Sequence, residues 1–190
     1  MPGRRAKALD HLRQARESDP LSLNLLAIES SALAASGRQA EAQERLQRVF
    51  DIEPDFWVAH LVQAELHTAA GRPDAAIESL LQADRLADGS SQAAASLGNM
   101  LARQGQRERA QQIIQRLSAQ GTSCYVPPTS TGLIYAGLGD KEAAMASLQR
   151  GLAVRDLRDV RMLQVKNDSR WALLRDDARY AAVLRQMNLA

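Results

Sequence analysis

Gly71-Arg72-Pro73-Asp74-Ala75-Ala76-Ile77-Glu78-Ser79-Leu80 returns in outline 34 residues later as Gly105-Gln106-Arg107-Glu108-Arg109-Ala110-Gln111-Gln112-Ile113-Ile114. In both stretches an alanine stands five residues after the glycine and an aliphatic residue nine after it. The same frame fits three more times. Glycines stand at 3, 37, 71, 105 and 139, alanines at 8, 42, 76, 110 and 144, and aliphatic residues at Leu12, Leu46, Leu80, Ile114 and Leu148. The last two series lie four residues apart, on one face of a helix. Twelve residues after each glycine stands a small or apolar residue (Ala15, Val49, Ala83, Leu117, Gly151), and Pro20 and Pro54 follow the first two segments. A glycine permits a tight reversal between antiparallel helices, a small alanine lets them approach closely, and a proline stops the second helix. One such pair cannot bury its own apolar face, so neighbours must stack.

The composition agrees with an all-α chain. Ala, Leu, Arg and Gln dominate the 190 residues, and aromatic residues make up 4%. Lys plus Arg number 24 against 22 Asp plus Glu, so no global field draws the chain to nucleic acid or an anionic membrane. The run Arg103, Arg107, Arg109 and Arg116 includes Glu108 and has no interleaved aromatic on which a base would stack, so no direct nucleic-acid binding is expected. The longest apolar stretch, residues 21–36, is broken by Asn24 and Glu29 and falls short of the roughly 20 residues a membrane span needs. No apolar stretch follows the basic N-terminus as it would in a secretory signal. With Cys124 the sole cysteine, no disulfide forms within the chain. The expected compartment is the cytoplasm, with the periplasm as the alternative if the chain belongs to a membrane-anchored regulator.

The 34-residue period, the glycine between helices, and the alanine, large apolar residue and proline in register resemble the tetratricopeptide-repeat (TPR) family. The resemblance implies a right-handed α-solenoid of antiparallel helix pairs. Full repeats then run over residues 23–56, 57–90, 91–124 and 125–158. Residues 1–22 hold an orphan second helix, since Gly3 leaves no room before it for a first one. In the first helices, Leu97-Gly98 and Gly132 with Tyr135 match the family, whereas Glu29-Ser30 and Gln63-Ala64 stand where it has Leu-Gly. Beyond Asp156 the pattern changes. Asp168 and Asp177 are placed as helix N-caps ahead of the helically spaced Trp171, Tyr180, Leu184 and Met187, so residues 159–190 read as C-terminal capping helices.

Residues 125–189 are also similar to the C-terminal repeat region of large bacterial regulators, among them winged-helix transcription regulators, adenylate cyclases and serine/threonine kinases. The matching residues are Tyr125-Val126-x-Pro128, Leu133-Ile134-Tyr135-Ala136-Gly137-Leu138-Gly139-Asp140-Lys141, and the tandem Asp168-x-Arg170-Trp171 and Asp177-x-Arg179-Tyr180. Where that region has Asp-Pro-Arg-Phe, Ser169 and Ala178 replace the prolines. The likeness implies a sensory or interaction module whose effector domain lies outside this sequence.

No phosphate-cradling glycine loop, His-Glu-x-x-His, Cys-x-x-Cys or Gly-x-Ser-x-Gly string is present, so neither a catalytic site nor a cofactor is expected. His60 and His67 share a helix face seven residues apart, roughly 10 Å along the axis and too far for one metal ion. The neighbouring Asp176 and Asp177 are read as cap chemistry rather than an acid/base pair.

What remains is binding. The family lines a concave groove with its first helices, and here that implies Leu61, Glu65, Thr68, Gln92, Asn99 and Arg103 as the central lining for a protein or peptide segment. Lysine and arginine are absent from the positions that clamp a C-terminal carboxylate in one TPR subgroup, which argues against that ligand. The rival readings are a homodimer through the N-terminal helix, by way of Ala8, Leu9, Leu12 and Ala15, and a fragment of a DNA-binding regulator or signalling enzyme.

Overall fold

The computed structural model describes residues 2–154 and 165–189, with side chains from Leu9 onward. Every regular element among them is helical. The expected repeat end at 158, the start of the capping segment at 159 and the Ala8 side chain lie outside the described residues. Two compact units divide the chain, Met1–Asp88 and Gly89–Ala190.

Unit 1 holds α1 (Pro2–Ser18), α2 (Leu23–Ala35), α3 (Gln39–Ile52), α4 (Trp57–Ala69) and α5 (Pro73–Leu86). Unit 2 holds α6 (Ser91–Arg103), α7 (Arg107–Gln120), α8 (Pro128–Leu138), α9 (Lys141–Ala153), a 3-10 turn η1 (Ser169–Leu174) and α10 (Ala178–Gln186). The pairs α2/α3, α4/α5, α6/α7 and α8/α9 are antiparallel hairpins, and within each unit the first helix of one pair packs on the first helix of the next.

All four hairpins reverse at the glycines of the 34-residue series. Gly37, Gly71, Gly105 and Gly139 have φ of +81°, +67°, +75° and +78°, in open space where a side chain would meet no neighbour. The left-handed backbone, not a lack of room, requires glycine there. The residue after each glycine donates its N–H five residues back: Arg38 to Leu33 O, Arg72 to His67 O, Gln106 to Leu101 O and Asp140 to Tyr135 O, all at 2.9–3.0 Å. This is the Schellman bond that satisfies carbonyls left open at a helix end. Gly3 does not follow its four counterparts and lies inside α1.

The alanines five after the glycine sit where the helices of a pair meet, and Ala42, Ala76, Ala110 and Ala144 are fully buried. Leu9, Leu26, Leu33, Leu46, Val49, Val62 and Leu66 form a core in unit 1, and Leu133, Met145, Leu148, Val165, Trp171, Leu174 and Tyr180 form one in unit 2. One first helix departs from the register. Those before it start at 23, 57 and 91, yet α8 starts at Pro128. Pro127 sits before another proline, which drives it to extended backbone (ψ 133°), and Pro128 suits the first helical position.

Candidate functional site

The six residues expected to line a groove separate into two groups. Glu65 and Thr68 on α4, and Gln92 and Arg103 on α6, are exposed. Leu61 is 8% exposed and Asn99 only 2%, so these two belong to the packing between helices and not to an open lining. Asn99 donates its Nδ2 proton to Leu133 O at 2.8 Å, which commits the amide to the neighbouring first helix. In unit 1 the equivalent position is spanned differently, with Ser31 Oγ donating to Glu65 Oε2 at 2.7 Å while the carboxylate stays at the surface. Both bonds join residues 34 apart, so the sequence period returns as a contact period.

Close approach explains the burial in unit 2. A Cβ built at Gly98 on α6 would stand 2.6 Å from Ile134 Cδ1, and one at Gly137 on α8 would stand 2.8 Å from Asn99 O. Only glycine lets these two helices meet at that distance. Ala27, Ala95 and Thr129 join Leu61 in being buried, so the fifth position of each repeat is interior throughout.

The family of tetratricopeptide repeats matches residues 33–100 through one of its sequence models and residues 131–155 through a second. The chain is a tetratricopeptide-repeat protein. A comparison with curated proteins returned no match. Tetratricopeptide repeats in general mediate protein–protein interaction, and stacked repeats of this kind present extended surfaces to their partners.

In this TPR chain the departure at Glu29-Ser30 has a structural account that sequence reading missed. Glu29 is 4% exposed, yet it stands between two arginines from other helices, with Arg16 Nε of α1 and Arg45 Nε of α3 each 3.4 Å from Glu29 Oε2. The carboxylate ties three helices together where the family places apolar packing. Ser30 Oγ donates to Ala42 O at 2.7 Å, so its hydroxyl is also used internally.

Of the N-terminal helix residues expected to carry a homodimer, Leu12 and Ala15 are half-buried. Leu9 is 7% exposed within the unit 1 core, because α1 lays it against α2. The exposed apolar groups nearby are Leu21 and Ile52, on the rim of an open cleft that Arg16 and Arg48 also line.

The TPR array's C-terminal segment repeats one device. Asp168 Oδ1 accepts the Arg170 N–H at 2.9 Å and Asp177 Oδ1 accepts the Arg179 N–H at 2.9 Å, each carboxylate also holding the side chain of its own arginine. The following aromatic is buried in both cases, Trp171 against Gly132 and Tyr180 donating its hydroxyl to Val165 O at 2.8 Å. Arg179 also forks onto Glu142 of α9 at 2.7 and 2.8 Å. Its hydrogen bonds, side chain first and backbone next, hold the Asp177 carboxyl far below the usual carboxylate range. Asp177 therefore serves as a cap and an ion-pair partner.

His60 Nε2 lies 3.1 Å from Pro54 O, a carbonyl that can only accept, so Nε2 carries the proton. Burial, followed by the nearby Arg72, pushes the His67 imidazole below its ordinary value. Among the described residues no three His, Cys, Asp or Glu side chains gather as metal ligands, and no helix is long and apolar enough to cross a membrane.

Proposed function

We propose that the chain is a non-catalytic module that binds an extended or helical segment of a partner protein on the faces of its first helices, as the interaction or sensory part of a larger bacterial regulatory protein. The binding units are the repeats 23–56, 57–90, 91–124 and 125–158, with 159–190 as their cap. The observation that carries this reading is the exposure of Glu65 and Thr68 in unit 1 and of Gln92 and Arg103 in unit 2, at positions that the family uses for partners. Leu61 and Asn99 act beneath this surface by fixing the helices that present it. The bacterial-regulator context rests on the tandem Asp-x-Arg-aromatic segments.

A displayed peptide library screened against the chain supplies a ligand for the test. Glu65→Ala with Thr68→Ala forms one variant and Gln92→Ala with Arg103→Ala the other. At least one pair weakens the selected peptide about tenfold, as expected where a hot spot contributes about 1–2 kcal/mol. Wild-type affinity in both variants removes these faces as the site. A homodimer at the N-terminal end would use Leu21 and Ile52, and sedimentation of Leu21→Glu with Ile52→Glu at rising concentration checks that alternative.

A further inference from the structure

The link between α5 and α6 runs Ala87-Asp88-Gly89-Ser90, and Asp88 there is one of two described non-glycine residues with positive φ, at +43°. Gly89 follows at +79°, so two consecutive residues of this link are left-handed. Both are exposed. Among the described residues, the backbone N–H groups of Asp88, Gly89 and Ser90 donate no hydrogen bond, and the Asp88 carboxylate has no hydrogen bond or ion pair. Gly89 O accepts from Gln120 Nε2 at 2.7 Å, a bond on the following peptide unit that leaves Gly89 N itself without a partner.

Three aspartates that cap helices differ in this respect. Asp140, Asp168 and Asp177 each accept a backbone N–H with a carboxylate oxygen, and Asp168 and Asp177 add an arginine. Their carboxylates are engaged in these bonds. Asp88 is also the only aspartate followed by glycine, the residue that offers least steric hindrance to attack by its own nitrogen.

We propose that Asp88-Gly89 is a site of spontaneous isoaspartate formation in the folded protein. Gly89 N attacks the protonated carboxyl carbon of Asp88; a C–N bond forms, the carboxyl C–OH bond breaks, the amide proton is lost and one water leaves, giving a five-membered succinimide. Water then opens the ring at either carbonyl. Opening at the main-chain carbonyl moves the peptide link to the former side chain and gives isoaspartate, with no net change in atoms and no oxidant or reductant. A methylene is thereby inserted into the main chain of the link between α5 and α6, and the strain of an L-residue at positive φ is released. The new α-carboxylate is a substrate for S-adenosylmethionine-dependent carboxyl methyltransferases that recognise isoaspartyl groups.

The full chain is incubated at mildly acidic pH and 37 °C, folded in buffer and unfolded in guanidinium chloride. Isoaspartate at 88 is then followed by electron-driven fragmentation of the tryptic peptide 86–103 and by enzymatic methyl transfer to the folded protein. A loop that opens at almost no free-energy cost forms isoaspartate within about threefold of the unfolded rate. Asp88→Glu, which keeps the charge but must close a six-membered ring, loses the signal while circular dichroism stays unchanged. A folded rate about tenfold or more below the unfolded one overturns the proposal, because the native link is then protected. So does methyl transfer that persists in Asp88→Glu.

Discussion

In unit 1 the first helices are joined at the surface by the Ser31 to Glu65 bond, and their interior holds a carboxylate between two arginines. In unit 2 the bond at the same repeat position, Asn99 to Leu133, lies in the interior beneath helices that touch through Gly98 and Gly137, and Trp171 closes the end. The contrast teaches that a repeat period fixes which positions face a neighbour without fixing how that neighbour is held. Where small residues bring helices close, polar groups on that line become structural. Where the helices stand further apart, the same positions remain at the surface and available to a partner.

Trp171→Ala tests the contrast hardest. The indole is 1% exposed and its Cη2 lies 3.2 Å from where a Gly132 Cβ would stand, so truncation leaves a large cavity and costs about 3–5 kcal/mol. Hydrogen exchange should show protection lost across α8 and α9 and retained in α2 to α5, because stability in stacked repeats is shared mainly between neighbours. Equal loss in both units would mean that they fold as one cooperative block.

Gly137→Ala is next. Its new Cβ would meet backbone oxygen at 2.8 Å, an obstacle that cannot rotate away, so about 1–3 kcal/mol of overpacking strain is expected despite alanine's better helix propensity. Alanine already occupies the equivalent exposed positions 35 and 69 in unit 1, so the penalty is specific to the close approach. Unchanged denaturant midpoints would show that α6 and α8 are not held at that distance. In unit 1, Glu29→Ala strands two guanidiniums that are only partly exposed (29% and 19%), for an expected loss of about 1–2 kcal/mol. Replacing the set together, as Arg16→Met, Glu29→Leu and Arg45→Met, should recover that loss or exceed wild type by urea unfolding, since the desolvation cost of three charges goes with them.

These residues also mark what the sequence could tell. The four glycine turns were legible because positive φ leaves a residue-type signature, and Asp168, Asp177, Trp171 and Tyr180 were legible because caps and buried aromatics do too. Asn99 and Leu61 were misplaced on an open groove. Leu61 holds the fifth position, which is interior in every repeat, whereas the burial of Asn99 depends on the separation of α6 and α8, which Gly98 and Gly137 set and which a position number within the repeat does not contain. Glu29 registered only as a departure from Leu-Gly, since its partners Arg16 and Arg45 come from helices on either side of α2 in the chain and no local spacing joins them. The late start of α8 was visible in Pro127-Pro128 but was overridden by the 34-residue register.

The smallest expected effect separates the units by pH. His67 stands where the neighbouring repeats have Leu33 and Leu101, and burial, then Arg72, lowers its pKa in the folded chain below the unfolded value of about 6.5. The unfolded state therefore binds the proton more readily, and the stability linked to neutral His67 is complete above that value and is lost as pH falls through it toward the folded pKa. Asp177 follows the same rule in a different window. Arg179 depresses its folded pKa below the unfolded value of about 3.9, so its contribution in unit 2 persists through mildly acidic pH and is lost only in stronger acid. Exchange protection measured from pH 7.5 down to 5.5 should thus weaken in α4 and α5 while η1 and α10 hold, and His67→Leu should flatten the unit 1 response by restoring the residue its neighbours carry. If η1 and α10 weaken first, the Arg179 fork onto Asp177 and Glu142 is not what anchors the cap. If His67→Leu leaves the slope intact, another group in unit 1 takes up the proton.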